Sequence, residues 1–590
     1  MKNFKNFKYA AILGCLTLGT TLTSCTDWLT LYPMDKIVEE NFWEDKKDLE
    51  SVRYAAYRNM ISADCMQRYL IWGELRSDNF KRNIDGDLSS ELQDIMNVNL
   101  KPSNSAFNWS SFYSTINYCN KVLQHGPEIL QKDNSFSQAE WGYMRAEMVA
   151  LRALNYFYLI RTFDAVPMVF TAINDDNEVR ALEATPQDVL MDSLINQMEQ
   201  VVPEARPNYG NPVDNKGLIT DKAVHTILAD LYLWRGSYYE SVDKAKADSN
   251  YQACVAHCDK VIELMDEEYQ KNNSGSSSFP SIGGGSGSGS GPSDTDNPYH
   301  FILNKGSEGS GLSSNAYDEI FGSKNSSESI FELQMDGTTN ENAILSTYYR
   351  PNGKNPQLLP TDFVSLVSST VDDNTNAKLF YKTDLRRFAS VQPIESEKYY
   401  IAKYAASSID QFALTDNSTL TDRTEPQYSI RATPSANWIF YRLSDVLLMK
   451  AEALCMIGTD LQEAFELVKA VNERSNPYAT AEQKLPDTKA QSKSELEGLI
   501  LRERNREFFG EGKRWFDMVR YAMRNGEAEG PAKAFEIFGT TVGTLVNTAR
   551  NKYSQSMKVM YSPYWETEMK ANPKLVQNPI WNDQSTIQKK

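Results

Sequence analysis

The chain has 590 residues, a formal charge of −17 and 41% hydrophobic residues. So acidic a chain repels phosphate backbones, and no local basic patch offsets this, which excludes nucleic acid as the expected partner. Its 31 Tyr, 25 Phe and 10 Trp supply ample stacking surface, and its length allows a large buried core.

At the amino terminus, Lys2, Lys5 and Lys8 precede a largely apolar run from Tyr9 to Leu22. That run is too short to span a hydrocarbon core, which takes about 20 residues. It ends in Leu22-Thr23-Ser24-Cys25, which resembles the lipobox of bacterial lipoproteins. The resemblance implies that residues 1–24 are a lipoprotein signal peptide and that Cys25 is the lipidation site. Several acyl chains on one residue give stable membrane anchoring. Thr26 follows Cys25, so the aspartate cue for inner-membrane retention is absent. Loss of three lysines would leave the mature chain at −20. No second apolar run approaches spanning length. Cys65, Cys119, Cys254, Cys258 and Cys455 are too scattered for a disulfide framework.

Residues 25–270 read as a helical part. Trp109 to Leu123 is a helical candidate, and Ala146, Ala150, Ala153 and Phe157 form a stripe at helical spacing. In "LADLYLWRGSYYES" (228–241), Leu228, Ala229, Tyr232, Gly236 and Tyr238 fall on tetratricopeptide spacing, with Gly236 expected to end the first helix. A second instance is "AEALCMIGTDLQEA" (451–464), and Leu496 to Tyr521 is a further helical candidate. About four helix-turn-helix units are expected, with a generic helical bundle as the alternative. Between them, 271–435 reads as an irregular, loop-rich insertion. It begins with a Gly/Ser-rich stretch containing "GGGSGSGSGPSD" (283–294), and it carries short strands such as "SIFELQ" (329–334). Residues 436–590 return to tetratricopeptide-like helices and a tail.

Nine stretches, in order, resemble the SusD/RagB family. They are "NFWEDKKDLE" (41–50), "LRSDNF" (75–80), "WSSFYSTINYCNKVL" (109–123), "ALRALNYFYLIRTFDAVPMV" (150–169) and "ITDKAVHTILADLYLWRG" (219–236). "SSESIFELQ" (326–334), "TDLRR" (383–387), "IFYRLSDVLLMKAEAL" (439–454) and "LRERNREFFGEGKRWFDMVRY" (501–521) complete the series. The resemblance implies a mainly α fold, a SusD-like scaffold of four tetratricopeptide units with an irregular portion packed against it. It also implies an outer-membrane lipoprotein, exposed at the cell surface, that caps a TonB-dependent (SusC-like) barrel. The ligand of such proteins is usually an oligosaccharide and in some members a peptide.

Catalytic constellations are not expected. Glu503, Arg506, Glu507, Glu511, Arg514 and Asp517 recur at three- and four-residue steps and so are expected on one helical face. Carboxylates interleaved with arginines stay ionised, the opposite of what a general acid needs. Cys254, His257 and Cys258 lack a fourth ligand and the spacing of a structural zinc site, and are read as a packed helix. "NIDGDLSSE" (83–91) lacks the EF-hand register and is read as a polar surface loop. No catalytic residue, metal or cofactor is assigned.

A glycan site needs exposed aromatic platforms edged by hydrogen-bonding groups. Two segments offer them: Asp78, Asn79, Phe80, Arg82 and Asn83 after "LRSDN", and the flanks of "SIFELQ" with Tyr299, His300, Phe301, Tyr348, Tyr349, Arg350 and Asn352. Trp109 and Trp515 are assigned to the core. Alternatives to glycan capture are an oligopeptide importer of the same architecture, a tetratricopeptide assembly scaffold and a cryptic glycosidase.

Overall fold

The computed structural model describes residues 42–582 apart from 176–177, 274–315, 350–355, 369–377, 382–383, 396–397, 411–426, 477–478, 480–483, 489–491, 540–541 and 543–545. Cys25, the Gly/Ser-rich stretch and Tyr299, His300, Phe301, Arg350 and Asn352 lie outside the described residues.

The helices follow from local capping and apolar stripes. α1 (Lys46–Met60) opens on a capping box between Asp45 and Asp48, and α2 (Ala63–Glu74) on the Ser62 side chain. After β1 (Phe80–Arg82) and α3 (Ser90–Met96) come α4 (Ser110–Lys132) and α5 (Gln138–Phe163), the latter begun by a Ser137–Glu140 capping box. α6 (Gln187–Val201), α7 (Pro212–Gly217), α8 (Asp221–Tyr239) and α9 (Lys244–Asn273) complete the first helical part. Short turns join α4 to α5 and α8 to α9, so each pair packs as a helical hairpin.

Gly236 does not end its helix as expected. It lies inside α8, where a Cβ would come within 2.5 Å of the Tyr251 ring on α9. Its role is close approach between the two helices rather than termination. The stripe Ala146, Ala150, Ala153 and Phe157 is buried, as its spacing implies.

The middle of the chain supplies short strands. β2 (Ser329–Leu333), β3 (Leu358–Pro360), β4 (Val367–Ser368), β5 (Phe380–Tyr381), β6 (Val391–Glu395), β7 (Lys398–Ile401), β8 (Ala406–Asp410), β9 (Gln427–Ile430) and β10 (Trp438–Arg442) form five two-stranded ribbons with β1 among the described residues. β2 pairs antiparallel with β10, and every residue of both strands is buried. This ribbon ties the middle segment to the helix that continues directly from it. Glu332 of β2 is fully buried with no ion pair among the described residues, and its carboxyl is pushed by burial up to about 7.

α12 (Leu443–Ile457) and α13 (Leu461–Ser475) form the next hairpin, with Gly458 at φ +81° closing α12 in the left-handed conformation. Preceding them are two short helices, α10 (Asp362–Ser365) and α11 (Arg386–Ser390). α14 (Lys493–Phe508), α15 (Arg514–Arg524), α16 (Gly530–Phe538), α17 (Val546–Tyr553) and α18 (Glu566–Ala571) finish the chain. Trp109 and Trp515 are buried in a core cluster that draws on most of these elements. The expected continuous helix from Leu496 to Tyr521 is in fact two. Gly510 and Gly512, at φ +74° and +72°, turn the chain between α14 and α15.

Candidate ligand-binding surface

After α2 the chain crosses the interior before it reaches the surface. Asp78 accepts two hydrogen bonds from Arg514, from Nε and Nη2, each at 2.9 Å. Asn79 donates to Glu74 Oε1 at 2.8 Å and to Asn505 Oδ1 at 2.9 Å. Glu74 also accepts from the backbone N–H groups of Gly510 and Arg514. Burial nevertheless pushes its carboxyl up to about 7. The Thr361 N–H and hydroxyl bind the carbonyls of Asn79 and Asp78, fixing β3 beside β1. Phe80 packs between Tyr349 and Phe509, at centroid distances of 6.0 and 5.2 Å, and Asn83 donates to the Pro356 carbonyl.

Asp78, Asn79, Phe80 and Asn83 are therefore interior residues of this structure, a correction to their expected exposure. The same holds for Tyr348 and Tyr349, which are 3% and 0% exposed. Tyr349 donates to the Gly510 carbonyl at 2.6 Å, and Tyr348 donates to Gln67 Oε1 at 3.2 Å. An aromatic stacking platform needs a ring face open to solvent, and these rings have none. Burial consumes both their faces and their hydroxyls.

The two segments proposed from sequence nonetheless meet, through Phe80 and Tyr349. Above that buried contact lies a polar rim on the β1–β3 ribbon. Arg82 is exposed and donates to Gln93 Oε1 at 2.7 Å, Lys81 pairs with Asp362 at 2.6 Å, and Ile84, Asp85 and Asp87 face solvent. The polar surface loop read from "NIDGDLSSE" is exposed at Ile84, Asp85, Asp87 and Ser89, while Asn83 and Leu88 are buried and residues 90–91 begin α3. This rim can offer hydrogen bonds and one 86%-exposed aliphatic side chain, Ile84.

The charged ladder is an ion-pair network, as its alternating signs imply, but it spans two helices and the turn between them. Glu503 and Glu507 lie on α14, Glu511 in the glycine turn, and Arg514 and Asp517 on α15. Sequence periodicity missed most of the partners. Arg386, from "TDLRR", reaches Asp384 and Glu503 at 2.7 Å and Glu507 at 3.1 Å. Arg474 bridges Glu328 and Glu507 at 2.7 and 2.6 Å, while Arg442 and Lys403 converge on Glu511 at 2.9 and 2.6 Å. Burial raises the proton affinity of Glu507, but Arg474, Arg442 and Arg386 outweigh it and hold that carboxyl well below the usual range. The Glu503 and Glu511 carboxyls are likewise lowered, against burial, by their cations. Permanently ionised, enclosed carboxylates have neither the proton nor the access for acid catalysis. Cys254 and Cys258 are buried on α9, while His257 turns towards His225, at 2.8 Å between Nδ1 atoms, and Glu199.

The SusD family model matches residues 394–581, which include β7 to β10, the α12–α13 hairpin and the network helices. SusD-like protein P38 of Formosa agariphila is 25% identical over 98% of this chain and 99% of its own length. The chain is thus similar to the SusD family, through its C-terminal third by the family model and along its length by this relative. The SusD fold is equally plain in solved structures. A SusD homolog from Bacteroides thetaiotaomicron superposes with a TM-score of 0.62 at 20% identity, covering 92% of this chain and all of that one. NanU of B. fragilis superposes at 0.61 with 17% identity, covering 94% and 100%. The architecture is the mainly helical SusD-like one expected from sequence. SusD-family proteins are substrate-binding proteins, usually glycan-binding partners of SusC-like TonB-dependent transporters, and typically outer-membrane lipoproteins. No helix among the described residues is long and apolar enough to cross a membrane.

Proposed function

We propose that this protein is a cell-surface lipoprotein, anchored through Cys25, that captures an oligosaccharide and serves as the lid of a TonB-dependent outer-membrane transporter. The observation that carries this reading is the full-length correspondence to SusD-like protein P38 together with the SusD-like fold. Two features support it further. A lipobox-like stretch ends at Cys25, and the charged residues that first suggest catalysis are locked in buried ion pairs. With Tyr348 and Tyr349 in the core, the capture surface centres on the β1–β3 rim. Arg82 provides the hydrogen-bonding group there, and Arg350 and Asn352 are kept as proposed contacts on their sequence alone.

Isothermal titration of the chain starting after Cys25, against plant, host and microbial glycans and a peptide pool, tests this reading. Saturable heat with one glycan class, weakened by Arg82→Ala, is the expected result. Heat with peptides alone would replace the glycan by an oligopeptide within the same architecture. Protease added to intact cells is expected to digest the protein, and its survival would end the surface-lid assignment.

A further inference from the structure

A second cleft lies on the helical scaffold and shares no residue with the rim. It has a volume of about 460 Å³, within the roughly 300–1,000 Å³ usual for small-molecule sites. Its walls come from α4 (Asn120, Gln124), α5 (Arg145, Arg152), α6 (Gln197, Gln200) and the segment that follows α5 (Phe170, Thr171).

Apolar side chains (Leu123, Val149, Val201) share these walls with polar groups that are held in place by hydrogen bonds. Asn117, Asn120 and Gln124 sit along α4 and bind the backbone of residues 169–173. Asn120 donates to the carbonyls of Val169 and Thr171, Asn117 exchanges hydrogen bonds with Ile173, and Gln124 accepts from the Ala172 N–H. The Tyr156 hydroxyl clasps Val169 from the other side, accepting from its N–H and donating to its carbonyl.

Within this frame the two arginines differ. Arg145 is neutralised by a two-pronged ion pair with Glu204. Arg152 is only 5% exposed, yet no carboxylate pairs with it among the described residues. Its guanidinium donates to the neutral carbonyl oxygens of Asn120 and Gln197 and lies 4.7 Å from the centre of the Phe170 ring. Glu147, one residue past the preceding turn of α5, is already held by Arg53 and Tyr57. The hydrogen bonds to Asn120 and Gln197 occupy two of the five N–H donors of Arg152, leaving donors for a further acceptor. A buried cation without a counter-charge is costly unless something charged completes it. Around it, the amides of Gln124, Gln197 and Gln200 and the Thr171 hydroxyl can serve neutral hydroxyl groups.

We propose that this cleft binds a small, hydroxyl-rich ligand bearing one carboxylate, such as an acidic monosaccharide unit, with Arg152 supplying the counter-charge. The site goes beyond the capture surface, and its occupancy does not depend on Arg82 or the ribbon rim.

The test titrates the chain starting after Cys25 with D-glucuronate, D-glucose, acetate and sulfate at low ionic strength, following heat and the melting temperature. Glucuronate is expected to bind saturably, at least tenfold more tightly than glucose or acetate. Arg152→Gln is expected to weaken it at least tenfold. Because that variant disturbs a buried site, Gln200→Trp provides the second arm. Gln200 is exposed at the cleft, so the indole is expected to fill the space, abolish glucuronate heat and keep the wild-type melting temperature. Equal binding of glucose, preference for sulfate, glucuronate binding unchanged in Gln200→Trp, or no glucuronate heat at all would each overturn the proposal. Arg82→Ala serves as a control: it is expected to impair oligosaccharide capture at the rim and leave glucuronate binding intact.

Discussion

The molecule buries arginines in two places and treats them oppositely. Around α14, Arg386, Arg442 and Arg474 each meet at least one carboxylate, and Glu507 alone serves all three. In the α4–α6 cleft, Arg152 meets two amide oxygens and the Phe170 ring, and no carboxylate among the described residues. The first arrangement is closed: every charge has been answered within the chain, which leaves nothing to offer a ligand. The second is electrostatically open. Residue type and burial are the same in both places, so the difference between a structural and a binding arginine lies in its partners.

The largest effect should come from breaking the closed network. Glu507→Gln leaves Arg386, Arg442 and Arg474 short of a buried counter-charge and is expected to cost about 3–5 kcal/mol in urea unfolding. A cost below about 1 kcal/mol would mean that the network is not an obligate unit. Glu332 is the acidic mirror image of Arg152, a buried ionisable group without an ion pair among the described residues. Its folded carboxyl titrates at about 7, above the ordinary 4.5, so the folded state keeps its proton longer. Its contribution is intact below pH 4.5 and is lost as pH rises to 7. Stability of Glu332→Gln relative to wild type should therefore improve by about 3 kcal/mol between pH 4.5 and pH 8. Parallel pH profiles for the two proteins would contradict this.

Arg152→Met sharpens the contrast. Removal of an unanswered charge is favourable, while orphaning the Asn120 and Gln197 oxygens is not, so the urea midpoint should report a net change within about 2 kcal/mol. A loss as large as that of Glu507→Gln would make Arg152 structural. The smallest effect belongs to Lys81, whose ion pair with Asp362 is exposed on both sides. Lys81→Met should change unfolding stability by less than about 1 kcal/mol.

The helical scaffold was legible because its signals are local. The alanine stripe and the spacing of 228–241 are both read within a few turns. Where an inference needed a distant partner, it failed. Asp78 and Asn79 look like surface loop residues, and only Arg514 and Asn505, more than 400 positions away, make them interior. Tyr348 and Tyr349 have the composition of a stacking platform, but Gly510 and Gln67 take their hydroxyls. The break between α14 and α15 had a visible signal in "FFGEGKRW", where two glycines flank Glu511; charge periodicity carried the ladder straight through them. Arg152 stands among apolar residues in "ALRALNYF", yet only the position of the 169–173 segment turns it into the wall of a cleft.

The contact between α2 and the glycine turn has a consequence for how the chain reaches this state. A Cβ on Gly73 would lie 1.8 Å from the carbonyl oxygen of Gly512, so the two backbones touch directly, while Asp78 locks onto Arg514 beside them. Loop closure over such a separation is a slow, entropically costly event in folding. Until residues 510–514 have been delivered, Glu74 and Asp78 are polar groups seeking partners, and the early helices remain an incomplete unit. Nascent or truncated chains that stop short of this turn should therefore be the form that chaperones hold and proteases clear.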